Sequence, residues 1–110
     1  MAPVHPTITR YFERGGSSTP DADGLAELFT DDAVVVDDGT TWTGRDGVRA
    51  WKTRTASEFT YATTVTGARA DGAAIVVTGH LVGDFPGGEV DLTYTFTLAG
   101  DLIARLEIAA

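Results

Sequence analysis

The spacing of apolar residues near the start of the chain follows the period of an α-helix. Ile8, Tyr11 and Phe12 succeed one another at intervals of three and four residues, which places them on one side of a helix. Pro6 precedes them, and proline suits the first turn of a helix because no backbone donor is needed there. The Gly and Ser residues at 15–18 end the pattern. The sequence therefore predicts a first amphipathic helix that begins near Pro6 and packs one side on a core.

Two further helices are predicted before residue 59. Thr19, Pro20 and Asp21 supply an N-cap, a first-turn proline and an early acidic residue, which together favour the start of a short helix. The apolar stripe of this second helix consists of Leu25, Leu28 and Phe29. A third helix is predicted from about Asp46. One face of the third helix carries Val48, Trp51 and Thr55. Each helix thus offers one side to a common core.

Strands account for most of the remaining chain. The β-branched run Ala33–Asp37 predicts a first strand, closed by a turn at Asp38-Gly39. Beyond Phe59 the pattern changes to a period of two, most clearly where Leu, Tyr and Phe alternate with Asp and Thr. Four strands joined by Gly-containing turns are predicted there: Thr60–Ala70, Ala74–Phe85, Val90–Leu98 and Leu102–Ile108. These four strands form a consecutive antiparallel meander.

Helices that precede a meander of strands indicate an α+β fold. Three short helices cannot cover four long strands on a flat sheet, so the sheet is expected to curl around them. Gly67, Gly79 and Gly83 lie inside the predicted strands, where bends or bulges would be placed. We therefore expect a single domain over residues 1–110, with three N-terminal helices packed in the concave face of a curved antiparallel sheet. Such a cone encloses a pocket, and concave sites of this kind bind small molecules.

Composition and charge exclude several classes of function. The 110 residues include 16 acidic against 8 basic side chains, a net charge of −8, so neither nucleic acid nor an anionic membrane is an expected partner. There is no cysteine, which excludes thiolate metal sites and disulfides. The two histidines match no metal-binding spacing and no phosphate-binding glycine loop is found, so neither a metal nor a cofactor is expected. Without a signal-like or membrane-spanning run, a cytoplasmic protein is expected.

Three segments resemble motifs of the nuclear transport factor 2-like superfamily. Leu28–Val34 (LFTDDAV) is similar to the junction that leads into the first strand of that superfamily, and Thr43–Arg49 (TGRDGVR) is similar to the entry to its third helix. Phe96–Leu106 resembles its last hairpin. The three segments occur in the same order as in the superfamily and most resemble its branch of SnoaL-like polyketide cyclases and ketosteroid isomerases. The resemblance implies a cone-shaped α+β barrel with a hydrophobic pocket.

The resemblance also implies two catalytic residues. In ketosteroid isomerases an aspartate removes a proton next to a carbonyl, while a tyrosine and a protonated aspartate hold the oxygen of the resulting enolate. Asp37 corresponds to the base, and Tyr11, which follows Arg10, corresponds to the tyrosine. Tyr94 stands where the isomerases have the second aspartate, so this chain departs from their pattern there. Asp37 would equally suit a turn, and Tyr11 an ordinary core position.

Aromatic side chains are the predicted walls of the pocket. The candidate ligand-binding residues are Phe29, Trp42, Trp51, Tyr94 and Phe96. All of them would also suit a packed core, so the pattern leaves both interpretations open. His80 shares a strand face with Asp84, and this pair is a second candidate for acid–base chemistry.

Three functions are compatible with a pocket of this kind. The first is a cofactor-independent isomerase, cyclase or dehydratase that removes a proton α to the carbonyl of an apolar, polyketide-like or steroid-like compound. The second is a non-catalytic module that binds an apolar small molecule. The third is a structural homodimer assembled through the second face of the sheet, since Thr, Val and Ala populate both faces and neither is expected to be fully solvated. The resemblance implies a homodimer through this face, which is compatible with all three functions. The direction of the Asp37 carboxylate distinguishes the first function from the others.

Overall fold

The computed structural model describes residues 5–15, 21–58 and 61–110, except the side chains of residues 56–58. Within these ranges the helices are α1 (Pro6–Gly15), α2 (Ala22–Ala26) and α3 (Gly44–Glu58). The strands are β1 (Phe29–Asp37), β2 (Thr40–Thr43), β3 (Tyr61–Asp71), β4 (Ala74–Gly83), β5 (Glu89–Ala99) and β6 (Leu102–Ala109). The predicted α+β class is confirmed. None of the described helices combines the length and apolarity needed to cross a membrane.

The six strands form one curved sheet with the order β2-β1-β6-β5-β4-β3. Strands β3 to β6 make the antiparallel meander that the alternating pattern predicts. The prediction of a wholly antiparallel sheet is wrong at one place, because β1 and β6 run parallel, with Val35 opposite Leu106 and Asp37 opposite Ile108. Parallel neighbours need a long connection, and the segment between β1 and β6 contains α3 and four strands.

The elements before and after β1 differ from the predicted ones. Phe29, predicted on the stripe of the second helix, begins β1 instead, because α2 already ends at Ala26. The predicted helix start at Thr19-Pro20 lies outside the described residues. Within them, the Asp21 side chain caps α2 by accepting a hydrogen bond from the backbone N–H of Gly24 (3.0 Å). Strand β2 pairs with β1 where the sequence indicates only a turn and a helix entry.

Alternation along the strands separates an apolar inner face of the sheet from a polar outer face. Val35, Val77, Phe96 and Leu106 are fully buried on the inner face, in one core with residues of all three helices. Threonines and charged residues occupy much of the outer face, where the side chain of Val82 is 55% exposed. Residues of the three helices and of β1, β4, β5 and β6 therefore share one core.

The glycines predicted to bend the sheet have different roles. Gly67 lies at an irregularity in the register between β3 and β4. Gly79 stays in register with Leu92 of β5 and lets an aromatic ring approach the backbone, since a Cβ atom there would lie 3.0 Å from Cε1 of Tyr94. Gly83 ends β4. Of these three glycines, Gly79 affects the candidate functional site, because the Tyr94 side chain beside it belongs to that site.

Candidate functional site

A cavity of about 330 Å³ opens between α1, α3 and the inner face of the sheet. Much of its wall is hydrophobic, with Phe12 from α1, Leu81 from β4 and Leu92 from β5. A few titratable groups interrupt this surface, and five of them are Tyr11, Asp37, Lys52, Tyr61 and Tyr94. A mostly apolar cavity with a few convergent polar groups is typical of a small-molecule site.

The Asp37 carboxylate reaches the cavity because β1 places it on the inner face. Val35, two residues earlier on the same face, is fully buried, and Asp37 lies opposite Ile108 of β6. The strand ends directly afterwards in a turn. Trp51 of α3 donates a hydrogen bond from Nε1 to Oδ2 of Asp37 (2.9 Å). This bond holds one carboxylate oxygen in place and connects α3 to the end of β1.

Lys52, absent from the predicted site, is buried in the same cavity. Only 4% of the residue is exposed. Its Nζ atom lies over the rings of Trp51, Tyr11 and Tyr61, at 4.8, 5.8 and 5.8 Å from the ring centroids. Ring faces attract a cation and favour the ammonium form. Burial disfavours that form and lowers the pKa of Lys52 from 10.5 to about 8, against a smaller opposite effect of the negative charge on Asp37.

A sequence signal for Lys52 exists in the helical spacing. It is the single lysine of the chain, and it lies four residues after Val48 and three before Thr55. Residues at these intervals share one side of a helix. A lysine on the side of α3 that faces the core therefore indicates a buried amine, whereas a lysine on a solvent-facing side is unremarkable.

All three tyrosines of the chain line the cavity as neutral phenols. Burial is the main cause that raises their pKa values, to about 12 for Tyr61 and above the ordinary value of 10.0 for Tyr11 and Tyr94. The negative charge of Asp37 contributes to each increase, because it disfavours a nearby phenolate. For Tyr94, a hydrogen bond with Thr63 partly offsets the increase.

The Tyr61 hydroxyl is a polar group without a partner among the described residues. Its oxygen is buried and makes no hydrogen bond there. Leaving such a group unpaired costs about 1–3 kcal/mol. Because Tyr61 also lines the cavity, an oxygen atom of a bound ligand would satisfy this hydroxyl. Tyr61 is thus a ligand contact that the predicted site did not include.

The structure places the predicted wall residues in three different surroundings. Trp51 and Tyr94 line the cavity. Phe29 and Phe96 are completely buried in the core, where their rings pack edge-on against Tyr11 at centroid distances of 6.3 and 5.2 Å, and neither lines the cavity. Trp42 lines a second depression of about 300 Å³, together with Arg54, and this depression shares Asp37 and Trp51 with the cavity.

His80 lies on the outer face of the sheet and takes no part in the cavity. Its Nδ1 atom is 2.7 Å from Oδ1 of Asp91 on β5, and its Nε2 atom is 3.9 Å from Oε2 of Glu89. The hydrogen bond with Asp91 raises the pKa of His80. The predicted partner was Asp84, but the antiparallel register places His80 directly opposite Asp91.

The chain is similar to one domain family and to many solved structures. A family model described as SnoaL-like domain matches residues 8–106. A candidate polyketide cyclase from Sinorhizobium meliloti is 34% identical, with a TM-score of 0.89 over 96% of this chain and 95% of that one. A protein of ketosteroid isomerase-like fold from Catenulispora acidiphila, in complex with trimethylamine, is 22% identical, with a TM-score of 0.86 over 98% and 87% of the two chains. TerC, co-crystallised with polyporic acid, is 16% identical, with a TM-score of 0.77 over 94% and 87%. No curated protein matches the chain.

Proposed function

The chain belongs to the family of SnoaL-like domains, within the nuclear transport factor 2-like superfamily, and on this premise we propose that its cavity binds an apolar carbonyl compound and removes a proton from the carbon next to the carbonyl. One observation carries the proposal. The Asp37 carboxylate, held by Trp51, lies on the wall of a mostly hydrophobic cavity that also contains neutral phenols.

Asp37 is the proposed base. Its Oδ2 atom accepts the hydrogen bond from Trp51, so Oδ1 is the atom that would take the proton. Because the carboxylate is already held in one orientation, aligning it for proton transfer costs less free energy. The mostly hydrophobic wall beside the carboxylate also strengthens its interaction with a polarised C–H group, because the effective dielectric constant there is lower than in bulk water.

The developing negative charge on the carbonyl oxygen would be held by Tyr61 and Tyr11. A phenol whose pKa is raised stays protonated and donates a hydrogen bond at every physiological pH. Tyr61 supports this role most directly, because its hydroxyl is buried without a partner among the described residues. The ammonium form of Lys52, between the rings of both tyrosines, adds a positive charge close to the same position.

The walls limit the substrate class. Leu81, Phe85, Val90 and Leu92 make the part of the wall formed by β4, β5 and the turn between them largely apolar, so an apolar ring system fits better than a sugar or a phosphate. The 34% identity to a candidate polyketide cyclase and the fold shared with a protein that binds polyporic acid support an aromatic or polyketide-like carbonyl compound. Isomerisation, cyclisation or dehydration would each begin with the same removal of a proton.

Proton removal is measured without knowledge of the natural substrate. β-Tetralone, an apolar bicyclic ketone, is incubated with the protein in D₂O, and NMR follows the exchange of its α-hydrogens for deuterium. We expect Asp37→Asn to slow this exchange by about a hundredfold or more, as for the loss of a general base. Asp32→Asn is the matched control, since it removes the same charge from an exposed position of the same strand.

A non-catalytic binding role is the second candidate, and the Tyr61 hydroxyl, which has no partner in the described part of the chain, favours it as much as it favours catalysis. Binding of β-tetralone is followed through the fluorescence of Trp51, which lines the cavity. Binding together with an exchange rate that is equal in wild type and Asp37→Asn would refute proton transfer and leave ligand binding as the function.

A further inference from the structure

Lys52 lines the cavity that is proposed to bind a carbonyl compound. Its amine lies in the cavity on α3, beside Trp51, and faces Tyr11 of α1, Asp37 of β1 and Tyr61 of β3. The residue is 4% exposed, so its amine is reached from the cavity rather than from the protein surface. A methionine would fill the same volume without the cost of burying an amine, which suggests that this amine has a chemical role.

We infer that Lys52 condenses with aldehydes and ketones that enter the cavity and holds them as an iminium ion. The ammonium first releases one proton. The neutral amine then adds its lone pair to the carbonyl carbon, and a proton moves from the nitrogen to the carbonyl oxygen to give a carbinolamine. The nitrogen lone pair forms the C=N bond while the hydroxyl group takes up the proton that the ammonium released and leaves as water. Overall, one ammonium and one carbonyl give one iminium and one water, and hydrolysis reverses the step.

The surroundings of Lys52 favour both the neutral amine that attacks the carbonyl and the iminium ion that is formed. A desolvated lysine is the usual amine nucleophile in proteins, because the neutral form is required for attack. Burial supplies that form by lowering the pKa to about 8. The iminium has the same single positive charge as the ammonium, so the ring faces of Trp51, Tyr11 and Tyr61 that attract one also attract the other.

Condensation shares the cavity with the proposed proton transfer but does not require Asp37 to act as a base. An iminium makes the adjacent C–H group more acidic than a ketone does, so the two steps would support each other. They are nevertheless separable, because an aldehyde without an α-hydrogen is able to condense and has no proton for Asp37 to remove. Benzaldehyde is such a compound.

Reductive trapping tests the inference in the intact protein. The chain is incubated with benzaldehyde and cyanoborohydride at neutral pH, which converts an iminium irreversibly into a secondary amine, and the modified peptides are identified by mass spectrometry. Interpretation is direct, because Lys52 is the single lysine and the other primary amine is the α-amino group of the first residue. The matched control is Ala50→Lys, which adds an exposed amine on the same helix.

We expect Lys52 to be modified at least about tenfold faster than the amine introduced by Ala50→Lys, because the ordinary lysine pKa of about 10.4 leaves far less neutral amine at this pH. Unfolding in urea should abolish the difference. Equal rates at the two amines, or modification confined to the α-amino group, would overturn the inference. If Lys52 is trapped by benzaldehyde but the α-hydrogens of β-tetralone do not exchange, the proton-transfer proposal alone is refuted. If these hydrogens exchange but Lys52 is not trapped, the condensation at Lys52 alone is refuted.

Discussion

Replacing Lys52 by methionine should make the protein more stable at neutral pH. The folded protein holds the amine in the wall of a mostly apolar cavity, with 4% of the residue exposed, while the unfolded chain leaves it in water. The ammonium is therefore less favourable in the folded state, which is why its pKa falls from 10.5 to about 8. Methionine is unbranched and of similar length, so Lys52→Met removes the charge with little change in packing.

The size of the effect follows from the two pKa values. A difference of 10.5 against about 8 corresponds to about 3 kcal/mol. Between these pH values the unfolded chain binds more protons than the folded protein, so the stability of wild type rises with pH from about 8 to 10.5. Below about 8 both states hold the proton, and this group no longer changes the stability with pH. The variant lacks this dependence. Its advantage over wild type should be largest below pH 8 and should disappear near pH 10.5.

Urea denaturation followed by tryptophan fluorescence measures the free energy of unfolding of both proteins at a series of pH values. The quantity of interest is the difference between the two proteins, because ionisation of the tyrosines at alkaline pH affects both equally and cancels. Lys52→Arg is the control, since arginine keeps the charge throughout this range and should show no gain at neutral pH. A difference between wild type and Lys52→Met that is constant from neutral to alkaline pH would refute a buried amine with a lowered pKa.

Two further predictions concern the walls of the cavity. Ultraviolet absorbance should show no phenolate in the folded protein up to about pH 11, because burial raises the pKa of Tyr61 to about 12 and those of the other two tyrosines above 10.0. The stability that the neutral tyrosines contribute is present below about pH 10 and is lost as pH rises through their pKa values in the folded protein. An absorbance step at about pH 10 would contradict this prediction. Gly79→Ala should destabilise the protein by about 1–3 kcal/mol and weaken β-tetralone binding, because the new methyl group would lie 3.0 Å from the Tyr94 ring. Gly67→Ala is the control, because its new methyl group makes an equally close contact with the Thr78 hydroxyl but lies away from the cavity. Fluorescence titration should show that β-tetralone affinity is unchanged in Gly67→Ala and reduced in Gly79→Ala.

The sequence predicts the second half of the fold well because its signals are local. Alternation over Val90–Leu98 gives β5 to within one residue at each end, and the Asp71-Gly72 turn joins β3 to β4. The resemblance to the nuclear transport factor 2-like superfamily is confirmed by the family match over residues 8–106. These features depend on neighbouring residues or on the order of short motifs, and both are visible in one chain.

The features that the sequence does not reveal depend on distant residues. The parallel pairing of β1 with β6 joins segments that are far apart along the chain. Phe29 continues a helical spacing, yet tertiary pairing with β6 draws it into β1. The hydrogen bond between Trp51 and Asp37 requires the packing of α3 on β1, which no local pattern encodes. For Lys52 the helical spacing indicates a buried amine, but the rings of α1 and β3 that lie around this amine come from distant parts of the chain and are not visible in that spacing.

The position of β6 inside the sheet has a consequence for synthesis on the ribosome. Although β6 follows all the other strands in the chain, it lies between β1 and β5. Until Leu102–Ala109 has left the exit tunnel, the inner edges of β1 and β5 have no partner, and their apolar faces remain open to other nascent chains. At translation rates of roughly 5–20 residues per second, β6 is synthesised several seconds after β1. We therefore expect ribosome-bound chains that end before β6 to be captured by chaperones, and release to follow soon after β6 emerges.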